Sequence, residues 1–461
     1  MADVDDRFAF PSTGLPSRRV HVITYGCQMN VFDTRRMLQV LRPLGYEETD
    51  DMTMADLILL NTCSVREKPE QKVIGTITRL KPLKEARPGL VLGIGGCVGQ
   101  QHGKALLDRL PYLDLVFGPD NIRDLPDMLA SVEKGRQVGN TRRMKRKDYE
   151  FVAVEARAEA GPTAFLTIIK GCDKVCAFCI VPHVRGREIS KPPDQVVHEV
   201  EALVARGVRE VTLLGQNVNS YGKDRPSEGD FADLLARVSA VPGLARLRFV
   251  TSHPADADRR MMECFRRLPN LAEYLHLPIQ SASDTVLKRM RRGYTVAEYL
   301  LKIEMARDAC PDIALSTDFI VGFPGETRED FDRSMALIEK VRFDIIFSFK
   351  YSPRPRTRAV RMEDDVPENE KADRLQALQD LQDRIMVSRM ERFLGRVEEV
   401  LVEGASRARD FEWMGRTRTN RVVNFPTSPA GAVKPGDLVG VRIEEVKAHS
   451  LRGRVEEDAG L

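Results

Sequence analysis

The sequence predicts an α/β protein of three domains, and three observations support this prediction. The chain has 461 residues, and domains usually contain ~100–200 residues, so about three domains are expected. Up to about residue 388, short β-rich runs alternate with helical stretches, which is typical of parallel sheets covered by helices. After residue 389, short strands separated by Gly, Pro and Ser indicate a small all-β domain. The predicted divisions are a flexible tail (1–17), a first domain (18–140), a linker (141–163), a second domain (164–388) and a third domain (389–461).

The composition is that of a soluble globular protein. Hydrophobic residues make up 42% of the chain and charged residues 30%, and Lys plus Arg (71) exceed Asp plus Glu (68) by only 3. This balance does not indicate nucleic-acid binding, so any basic surface must be local. The N-terminal segment lacks the apolar stretch of a secretion signal, and no run of about 18 apolar residues predicts a membrane span. Eight cysteines are too few for a disulfide scaffold of this length, which favours the cytoplasm.

In the first domain, three cysteines each follow a predicted strand. Cys27, Cys63 and Cys97 come within a few residues of the ends of the first three strands. Because the carboxyl ends of parallel strands share one edge of a sheet, we expect these cysteines to meet in space. The alternative is three unrelated buried cysteines, a common fate of single Cys residues. The predicted strands are Val20–Tyr25, Leu57–Asn61, Leu90–Ile94 and Leu115–Phe117, and the predicted helices are Asp33–Leu41 and Glu67–Leu80.

The second domain contains six predicted strands separated by helices. This repeat favours an open or partial barrel whose site lies at the carboxyl ends of the strands. A long charged segment, Glu368–Phe393, is expected to pack outside it as one or two helices. The predicted strands are Phe165–Ile169, Glu210–Leu214, Arg248–Thr251, Glu273–Leu277, Ala314–Ile320 and Ile345–Tyr351.

The third domain carries one of the local basic segments. Its predicted strands are Val397–Val402, Arg421–Asn424 and Leu438–Glu444, with a basic loop over Gly415–Arg421. Guanidinium and hydroxyl donors suit phosphate contacts, so the candidate RNA-binding residues are Arg416, Arg418 and Arg421. A second basic run, Arg142–Lys147, is either an RNA contact or a solvated surface strip.

The most specific signal is a group of three cysteines with the spacing Cys172-x3-Cys176-x2-Cys179. It follows the first predicted strand of the second domain, at the expected ligand-binding end. Three local thiolates suit an iron–sulfur cluster, and a [4Fe–4S] cluster with three protein ligands leaves one iron open for a substrate or cofactor. The alternative is a zinc site completed by His183 or another ligand.

The motif resembles the radical S-adenosylmethionine signature, and Phe178 matches the usual aromatic residue before the last cysteine. Over nearly its full length, the chain resembles the methylthiotransferase family, and within it the branch that modifies tRNA. This resemblance implies a Rossmann-like N-terminal domain, a partial (β/α)6 radical-SAM barrel and a small all-β TRAM barrel. It is carried by Thr24–Asn30, Asn61–Arg66, Gly95–Cys97, Gly171–Glu188, Leu213–Tyr221, Leu275–Asp284, Asp318–Thr327 and Gly415–Phe425.

The resemblance implies two [4Fe–4S] clusters. Cys172, Cys176 and Cys179 would hold the cluster that binds S-adenosylmethionine and cleaves it reductively to a 5′-deoxyadenosyl radical. The triplet at the strand ends of the first domain, Cys27, Cys63 and Cys97, would hold an auxiliary cluster that carries the sulfur to be inserted. A second S-adenosylmethionine would donate the methyl group. All six cysteines are therefore the candidate catalytic residues, acting through their clusters.

Other positions are candidate S-adenosylmethionine contacts by the same resemblance, although each could instead shape a turn or cap a helix. They are Phe178, Gln216, Asn217, Ser252, Gln280, Gly322 and Gly325. The chain departs from the family pattern at two places: Arg356 stands where the family ordinarily has Gly, and Ala282 where Gly is usual. Neither residue is a cluster ligand. Arg356 adds charge to a loop that already holds Arg354 and Arg358, so Arg354–Arg361 is a further candidate RNA contact. Cys264 and Cys310 are interpreted as ordinary thiols.

The implied activity is methylthiolation of C2 of N6-isopentenyladenosine next to the anticodon of tRNA. The implied partners are this tRNA, a flavodoxin- or ferredoxin-like reductant, and a supplier of sulfur or clusters, with no membrane. Alternatives are methylthiolation of a ribosomal-protein aspartate or of threonylcarbamoyladenosine in tRNA. An alternative of another class is a zinc-stabilised RNA-binding protein without catalysis.

Overall fold

The computed structural model describes residues 17–64, 67–151, 161–406, 411–426, 433–447 and 449–456, with no side chains described at 67–71 and 147. The predicted tail (1–17), except residue 17, and residues 152–160 of the predicted linker lie outside these residues. The chain divides into two compact units, residues 1–155 with 183–186, and residues 156–182 with 187–461.

The first unit is built on a six-stranded, all-parallel sheet with the order β2-β1-β3-β4-β5-β6. This confirms the parallel α/β fold predicted for this part. The short strands β2 and β6 at the two ends of the sheet were not predicted. The elements are β1 (Arg18–Thr24), α1 (Gln28–Leu41), β2 (Tyr46–Glu48), β3 (Leu57–Thr62), α2 (Glu67–Arg79), α3 (Lys81–Ala86), β4 (Val91–Gly96), α4 (Cys97–His102), α5 (Lys104–Arg109), β5 (Leu115–Phe117), α6 (Leu125–Val132) and β6 (Val138–Asn140).

The central strand β3 shows why this sequence folds as a covered sheet. All six of its residues are buried. Successive side chains of a strand point to opposite faces. Accordingly, Ile58 and Leu60 pack into one hydrophobic core, whereas Leu57 and Leu59 pack into a second. A strand that is apolar on both sides requires helices on both faces, which is the arrangement of an α/β sheet.

The second unit begins with six strands that run parallel. β7, β10 and β11 form one three-stranded sheet, β12, β13 and β14 form another, and an isolated bridge joins Leu247 to Leu271 between them. This confirms the predicted partial barrel. The elements are β7 (Thr163–Thr167), β8 (Ile169–Lys170), α7 (Val181–Val184), β9 (Ile189–Ser190), α8 (Pro193–Val204), β10 (Glu210–Leu214), α9 (Phe231–Ser239), β11 (Arg246–Phe249), α10 (Arg259–Arg267), β12 (Tyr274–His276), α11 (Asp284–Met290), α12 (Val296–Ala309), β13 (Ala314–Val321), α13 (Arg328–Val341), β14 (Ile345–Lys350) and α14 (Glu368–Glu391).

The C-terminal part of this unit is a closed barrel with the strand order β15-β16-β17-β19-β18, which confirms the predicted small all-β fold. The predicted basic loop Gly415–Arg421 was wrong in its extent, because its first three residues belong to a strand that was not predicted. The rest of the predicted loop, residues 418–421, is a tight turn between two strands. The strands are β15 (Val397–Ala405), β16 (Glu412–Thr417), β17 (Val422–Pro426), β18 (Leu438–Val446) and β19 (Leu451–Val455). Among the described residues, no helix has the length and apolar character to cross a membrane.

Candidate active site

The first cysteine triplet lies at one edge of the six-stranded sheet. Cys27 comes three residues after β1, and Cys63 and Cys97 directly follow β3 and β4. These three strands are parallel neighbours. The thiols of Cys27 and Cys63 are hydrogen-bonded to each other, and Cys97 shares the guanidinium of Arg185 with Cys27. The structure therefore places three cysteines that are far apart in the sequence at one edge of the sheet. Among the described residues, no group of three or more His, Cys, Asp or Glu side chains is arranged to hold a metal ion.

Two buried asparagines fix the loops that carry Cys27 and Cys63. Asn30 Nδ2 donates to Asn61 Oδ1 at 3.2 Å, and Asn61 Nδ2 donates to the Asn30 carbonyl at 2.7 Å. Both residues are completely buried. Gly26 has a φ of +128°, and a Cβ at this position would lie 2.4 Å from Cys63 Cβ. The two loops are thus in direct contact, and a larger residue at position 26 would push them apart.

A buried arginine accompanies this triplet. Arg185 is 5% exposed, and its Nη1 lies 2.7 Å from Asp33 Oδ2. The same guanidinium hydrogen-bonds to Cys97 and lies near Cys27. Arg36 lies 3.7 Å from the other oxygen of Asp33. Because a nearby positive charge favours the thiolate over the thiol, Arg185 favours ionisation of the thiols that it contacts.

The pKa values within the triplet differ. The pKa of Cys27 is lowered to about 6, first by the hydrogen bond from Cys63, and further by the charge of Arg185. Burial raises the pKa of Cys97. Cys27 is exposed, whereas Cys63 and Cys97 are buried. In the metal-free protein, Cys27 therefore ionises at a lower pH than Cys97. It is also the more accessible of these two thiols to solvent.

The second triplet lies on one loop of the partial barrel, after β8. Hydrogen bonds hold this loop at both ends: Gly171 N donates to Gln216 Oε1 at 2.5 Å, and Ala177 N donates to Met290 O at 2.8 Å. Between them, Lys174 Nζ contacts Asp256 Oδ1 at 2.7 Å. The predicted residue Gln216 thus positions the backbone immediately before Cys172. The loop is shaped by contacts to the ends of neighbouring elements, independently of any cluster.

Cys176 receives two hydrogen-bond donors from outside the loop. Arg292 Nη1 lies 3.4 Å from its Sγ, and His253 Nε2 lies 3.9 Å from it. His253 Nδ1 accepts the amide N–H of Ala255 at 3.2 Å, so the proton of the neutral ring is on Nε2. Burial, together with the charge of Arg292, lowers the pKa of His253 to about 2, so the ring is neutral. Both groups therefore donate to the sulfur.

Arg292 is itself held rigidly. Its Nη2 donates to Pro278 O at 2.7 Å and its Nε to Tyr294 OH at 2.9 Å. The residue is 6% exposed. Sequence reasoning missed both Arg292 and His253. His253 directly follows Ser252 at a strand end, which was a usable signal, whereas Arg292 follows a helix and gave none.

The other two thiols of this triplet have a raised pKa. Burial raises the pKa of Cys172, and it raises that of Cys179 to about 12. Without metal both are therefore neutral thiols at physiological pH. Binding a cationic cluster would require them to lose their protons, as coordinating thiols do.

The predicted residues at the ends of β10 and β11 fit a polar ligand. Asn217 Nδ2 donates to Asp256 Oδ2 at 2.7 Å. In contrast, Asn217 Oδ1 and Ser252 Oγ are buried and have no hydrogen-bond partner among the described residues. Buried polar atoms are normally paired. These two are therefore suited to the amino-acid part of S-adenosylmethionine. Gln280 is also buried, with a φ of +76°.

The predicted adenosine-motif glycines are tightly packed by protein atoms. Gly322 and Gly325 have φ values of +67° and +78°. A Cβ at these positions would lie 2.3 Å from Lys371 Cγ and 2.1 Å from Arg289 Cζ. Both glycines are therefore required by the fold itself, whatever they contact in a complex. Phe178 packs edge-on against Phe323, with ring centroids 6.5 Å apart.

The predicted RNA-binding arginines of the small barrel are engaged in ion pairs. Arg418 Nε lies 2.8 Å from both carboxylate oxygens of Glu273, and Arg421 Nη2 lies 3.0 Å from Asp344 Oδ1. Arg416 Nε lies 3.0 Å from Glu403. RNA contact through Arg418 or Arg421 would therefore require these pairs to open.

The same hairpin is also held through its backbone. Arg246 and Arg248 of β11 donate to the carbonyl oxygens of Arg416, Thr417 and Arg418 at 2.6–2.8 Å. Arg246 is completely buried. Arg246 is the first residue of β11, and Glu273 and Asp344, which pair with Arg418 and Arg421, directly precede β12 and β14. The small barrel is thus docked at the edge opposite the cysteine loop.

Three known families match successive parts of the chain. Uncharacterized protein family UPF0004 matches residues 19–118, the Radical SAM superfamily matches residues 166–338, and the TRAM domain matches residues 391–455. Among solved structures, the radical S-adenosylmethionine methyltransferase TsrM from Kitasatospora setae is similar, with a TM-score of 0.56 and 14% identity over 85% of this chain and 79% of that chain. A cobalamin-dependent S-adenosylmethionine radical enzyme, OxsB, has a TM-score of 0.51 and 13% identity, over 80% of this chain and 56% of that one. The fold and the cysteine loop thus define a radical SAM enzyme.

Relatives of known function specify the family. The tRNA-2-methylthio-N(6)-dimethylallyladenosine synthase of Burkholderia lata is 46% identical over 95% of this chain and 97% of its own length. The enzyme of the same name from Citrifermentans bemidjiense is 45% identical over 96% of this chain and 99% of its own length. The chain belongs to the family of tRNA-2-methylthio-N(6)-dimethylallyladenosine synthases.

Proposed function

We propose that the protein methylthiolates C2 of N6-isopentenyladenosine next to the anticodon of tRNA. The observation that carries this proposal is the presence of two separate cysteine triplets, one at the carboxyl ends of three parallel strands and one on the loop after β8, each beside a buried arginine. Insertion of sulfur into an unactivated C–H bond followed by methylation needs two kinds of chemistry, and two metal centres can supply them. The near full-length similarity to enzymes named for this reaction supports the same assignment.

We infer that the two cysteine triplets hold two iron–sulfur clusters. Cys172, Cys176 and Cys179 would hold the cluster that serves S-adenosylmethionine, and Cys27, Cys63 and Cys97 would hold the auxiliary one. When bound, such clusters supply the electron for reductive cleavage of S-adenosylmethionine and the sulfur to be inserted. The protein supplies the ligands, the buried arginine beside each triplet and the exclusion of water.

Within the partial barrel, the chain's own residues perform distinct tasks. Gln216 fixes the backbone at Gly171, so the cysteine loop starts in a defined position. Asn217 Oδ1 and Ser252 Oγ would accept and donate hydrogen bonds to the amino-acid part of S-adenosylmethionine. Arg292 directs a cationic hydrogen-bond donor at Cys176 Sγ.

The reaction also needs partners. The substrate would be a tRNA that carries N6-isopentenyladenosine. The electron would come from a flavodoxin- or ferredoxin-like reductant, and consumed sulfur would be restored by a separate sulfur or cluster supplier. The methyl group would come from a second S-adenosylmethionine, and the hydrogen removed from C2 would leave in 5′-deoxyadenosine.

The test is anaerobic reconstitution of the full chain, followed by metal analysis and assay. Two [4Fe–4S] clusters predict about eight iron and eight sulfide per chain. Incubation with S-adenosylmethionine, reductant and tRNA bearing isopentenyladenosine should yield the 2-methylthio nucleoside, detected by mass spectrometry after nuclease digestion.

The alternatives give different results in the same experiment. A zinc-stabilised RNA-binding protein would contain zinc and no sulfide, and it would leave the nucleoside unchanged. An enzyme for threonylcarbamoyladenosine would act only on tRNA bearing that nucleoside. An enzyme for a ribosomal-protein aspartate would leave tRNA unchanged and increase the mass of the protein. Each of these results would refute the proposed substrate.

A further inference from the structure

The loop after β14 carries an exposed basic surface at the rim of the cysteine loop. Residues 354–361 contain four arginines, of which Arg356, Arg358 and Arg361 are exposed. None of these three side chains has a hydrogen bond or an ion pair to any residue in the described part of the chain. We call these three residues the rim arginines. They differ from Arg418 and Arg421, whose charges are already neutralised by protein carboxylates.

Buried residues alternate with the rim arginines and anchor the loop. Arg354, Thr357 and Ala359 are 8%, 3% and 1% exposed. Thr357 Oγ1 donates to Arg354 O at 2.7 Å, and Thr357 N donates to the same oxygen at 3.2 Å. These contacts close a tight turn, so the rim arginines project from a rigid base rather than from a loose segment.

A hydrogen bond to the cysteine loop fixes the position of the loop after β14. Ala359 N donates to the carbonyl of Ala177 at 2.9 Å, and Ala177 lies between Cys176 and Cys179. Ala359 and Ala177 also share one hydrophobic cluster with Phe323. The three rim arginines lie within a few residues of Ala359. They are therefore next, along the chain, to a direct contact with the candidate cluster site.

Two of the three acidic residues that follow the loop are engaged by other parts of the protein. Asp364 accepts both of its short contacts from Lys371 Nζ, at 2.6 and 2.7 Å. Asp365 Oδ1 accepts the amide of Gly325 at 2.6 Å. Asp364 and Asp365 are thus engaged elsewhere in the protein. Glu363 alone cannot neutralise three arginines, so the rim keeps a net positive charge that suits an external anion.

The backbone at Arg356 shows that the loop is strained at one of these residues. Its φ is +66°, and it follows Pro355 in a turn closed between residues 354 and 357. A turn with Pro in its second position and a positive φ in its third is of the kind that normally takes Gly. Strain of this kind persists when the surrounding structure imposes it, and it clusters at functional sites.

We propose that the rim arginines bind the phosphate backbone of the substrate RNA and hold its target nucleotide over the cysteine loop. The proposal rests on the proposed function for the identity of the RNA. Exposed guanidinium groups recognise phosphates without reading bases. They would therefore position the anticodon stem–loop but would not distinguish an isopentenylated adenosine from a plain one.

The test measures RNA binding by the full-length, anaerobically reconstituted protein. The probes are two fluorescent anticodon stem–loop RNAs, with and without the isopentenyl group, titrated at several salt concentrations. The triple variant R356Q/R358Q/R361Q should bind both RNAs about tenfold or more weakly, and the slope of log K against log salt should fall by about 2. The matched control R328Q/R333Q/R384Q removes three exposed arginines from α13 and α14 and should bind as the wild type does.

A single variant separates binding from folding. Arg356→Gly removes one charge and relieves the positive φ, so it should weaken RNA binding without lowering the thermal midpoint. Unchanged affinity and salt slope in the triple variant would overturn the proposal. Wild-type protein that binds neither RNA would overturn it together with the proposed function, whereas RNA binding without methylthiolation would refute only the proposed function.

Discussion

The two cysteine triplets are held by different parts of the structure. Cys27, Cys63 and Cys97 come from three strand ends separated by tens of residues, so their site exists only when β1, β3 and β4 pair in the correct register. Cys172, Cys176 and Cys179 lie on one loop, which neighbouring elements hold by its backbone. The first site therefore depends on the global fold of its unit, and the second depends on local anchors.

Each triplet has its own buried arginine, which donates a hydrogen bond to one of the sulfur atoms. Arg185 serves Cys97 and also pairs with Asp33, whereas Arg292 serves Cys176 and otherwise contacts neutral oxygens. Arg185 is consequently part of a buried ion pair, but Arg292 has no carboxylate among its described hydrogen-bond partners. The two arginines should thus respond differently to replacement.

The largest expected effects come from the cysteines. Cys172→Ala should abolish formation of 5′-deoxyadenosine and of the methylthio product, because it removes a proposed ligand of the cluster that serves S-adenosylmethionine. Cys27→Ala should retain 5′-deoxyadenosine formation and lose only the methylthio product. Chromatographic assay of both products checks this. Equal loss of both products in the two variants would contradict separate roles for the two triplets in the reaction.

Replacement of Arg185 should mainly reduce stability. Arg185→Met leaves Asp33 buried without its 2.7 Å partner, and loss of one partner of a buried pair typically costs about 3–5 kcal/mol. We expect the lower end of this range, because Arg36 remains near Asp33. Denaturant unfolding of the metal-free protein measures the loss.

Two further variants make this prediction specific. Arg35→Met removes an exposed arginine from the same helix as Asp33 and should leave the free energy of unfolding nearly unchanged. Asp33→Asn combined with Arg185→Met should recover part of the loss, because the uncompensated charge is gone. Equal destabilisation by Arg35→Met and Arg185→Met would show that the buried pair is not the cause.

Replacement of Arg292 should instead change the cluster's redox behaviour. Hydrogen bonds to cluster sulfurs help set the reduction potential, and a cationic donor favours the more electron-rich, reduced form. Arg292→Met should therefore make the midpoint potential more negative by about 59 mV or more, a tenfold change in the one-electron equilibrium. The potential is followed by electron paramagnetic resonance in a background lacking the first triplet.

A control on the adjacent helix tests the role of contact. Lys288→Met removes one exposed positive charge from α11 and should leave the potential close to that of the parent. A merely structural role for Arg292 would lower the iron content without moving the potential of the clusters that form. Equal shifts in both variants would mean that charge alone, without the hydrogen bond to Cys176, sets the effect.

The smallest effect concerns the metal-free first triplet. Because the pKa of Cys27 is lowered to about 6, its thiolate predominates above that pH. Iodoacetamide at pH 7 should therefore alkylate Cys27 faster than Cys97, whose pKa burial raises. The rate at Cys27 should fall as the pH is lowered through about 6. Peptide mass spectrometry after timed quenching gives both rates, and equal rates would contradict the lowered pKa.

The sequence was informative where function depends on local spacing or on strand ends. The run Leu57–Thr62 is apolar enough to be recognised as a buried strand, and the placement of Cys63 after it followed directly. β2 and β6 were not predicted because strands of three residues carry too little periodicity. β16 was not predicted because its basic and small residues resemble a loop.

Partners distant in the chain were beyond the reach of sequence reasoning. Arg418 and Glu273 are 145 residues apart, and nothing local to Gly415–Arg421 indicates that a carboxylate neutralises the charge. Arg292 and Cys176 are separated by 116 residues. A basic run therefore predicts a phosphate contact only when its charges remain uncompensated in the fold, as at the rim arginines.

The way in which the small barrel is docked affects how freely this part of the protein can evolve. Arg246 and Arg248 donate hydrogen bonds to backbone carbonyl oxygens of the β16–β17 hairpin, and every amino acid provides such an oxygen. Side chains on the outer side of the hairpin can therefore mutate without loosening this attachment. Homologues could carry different side chains on this side of the hairpin, and a designer could introduce new recognition sequences there. In both cases the backbone hydrogen bonds would keep the barrel in the same position.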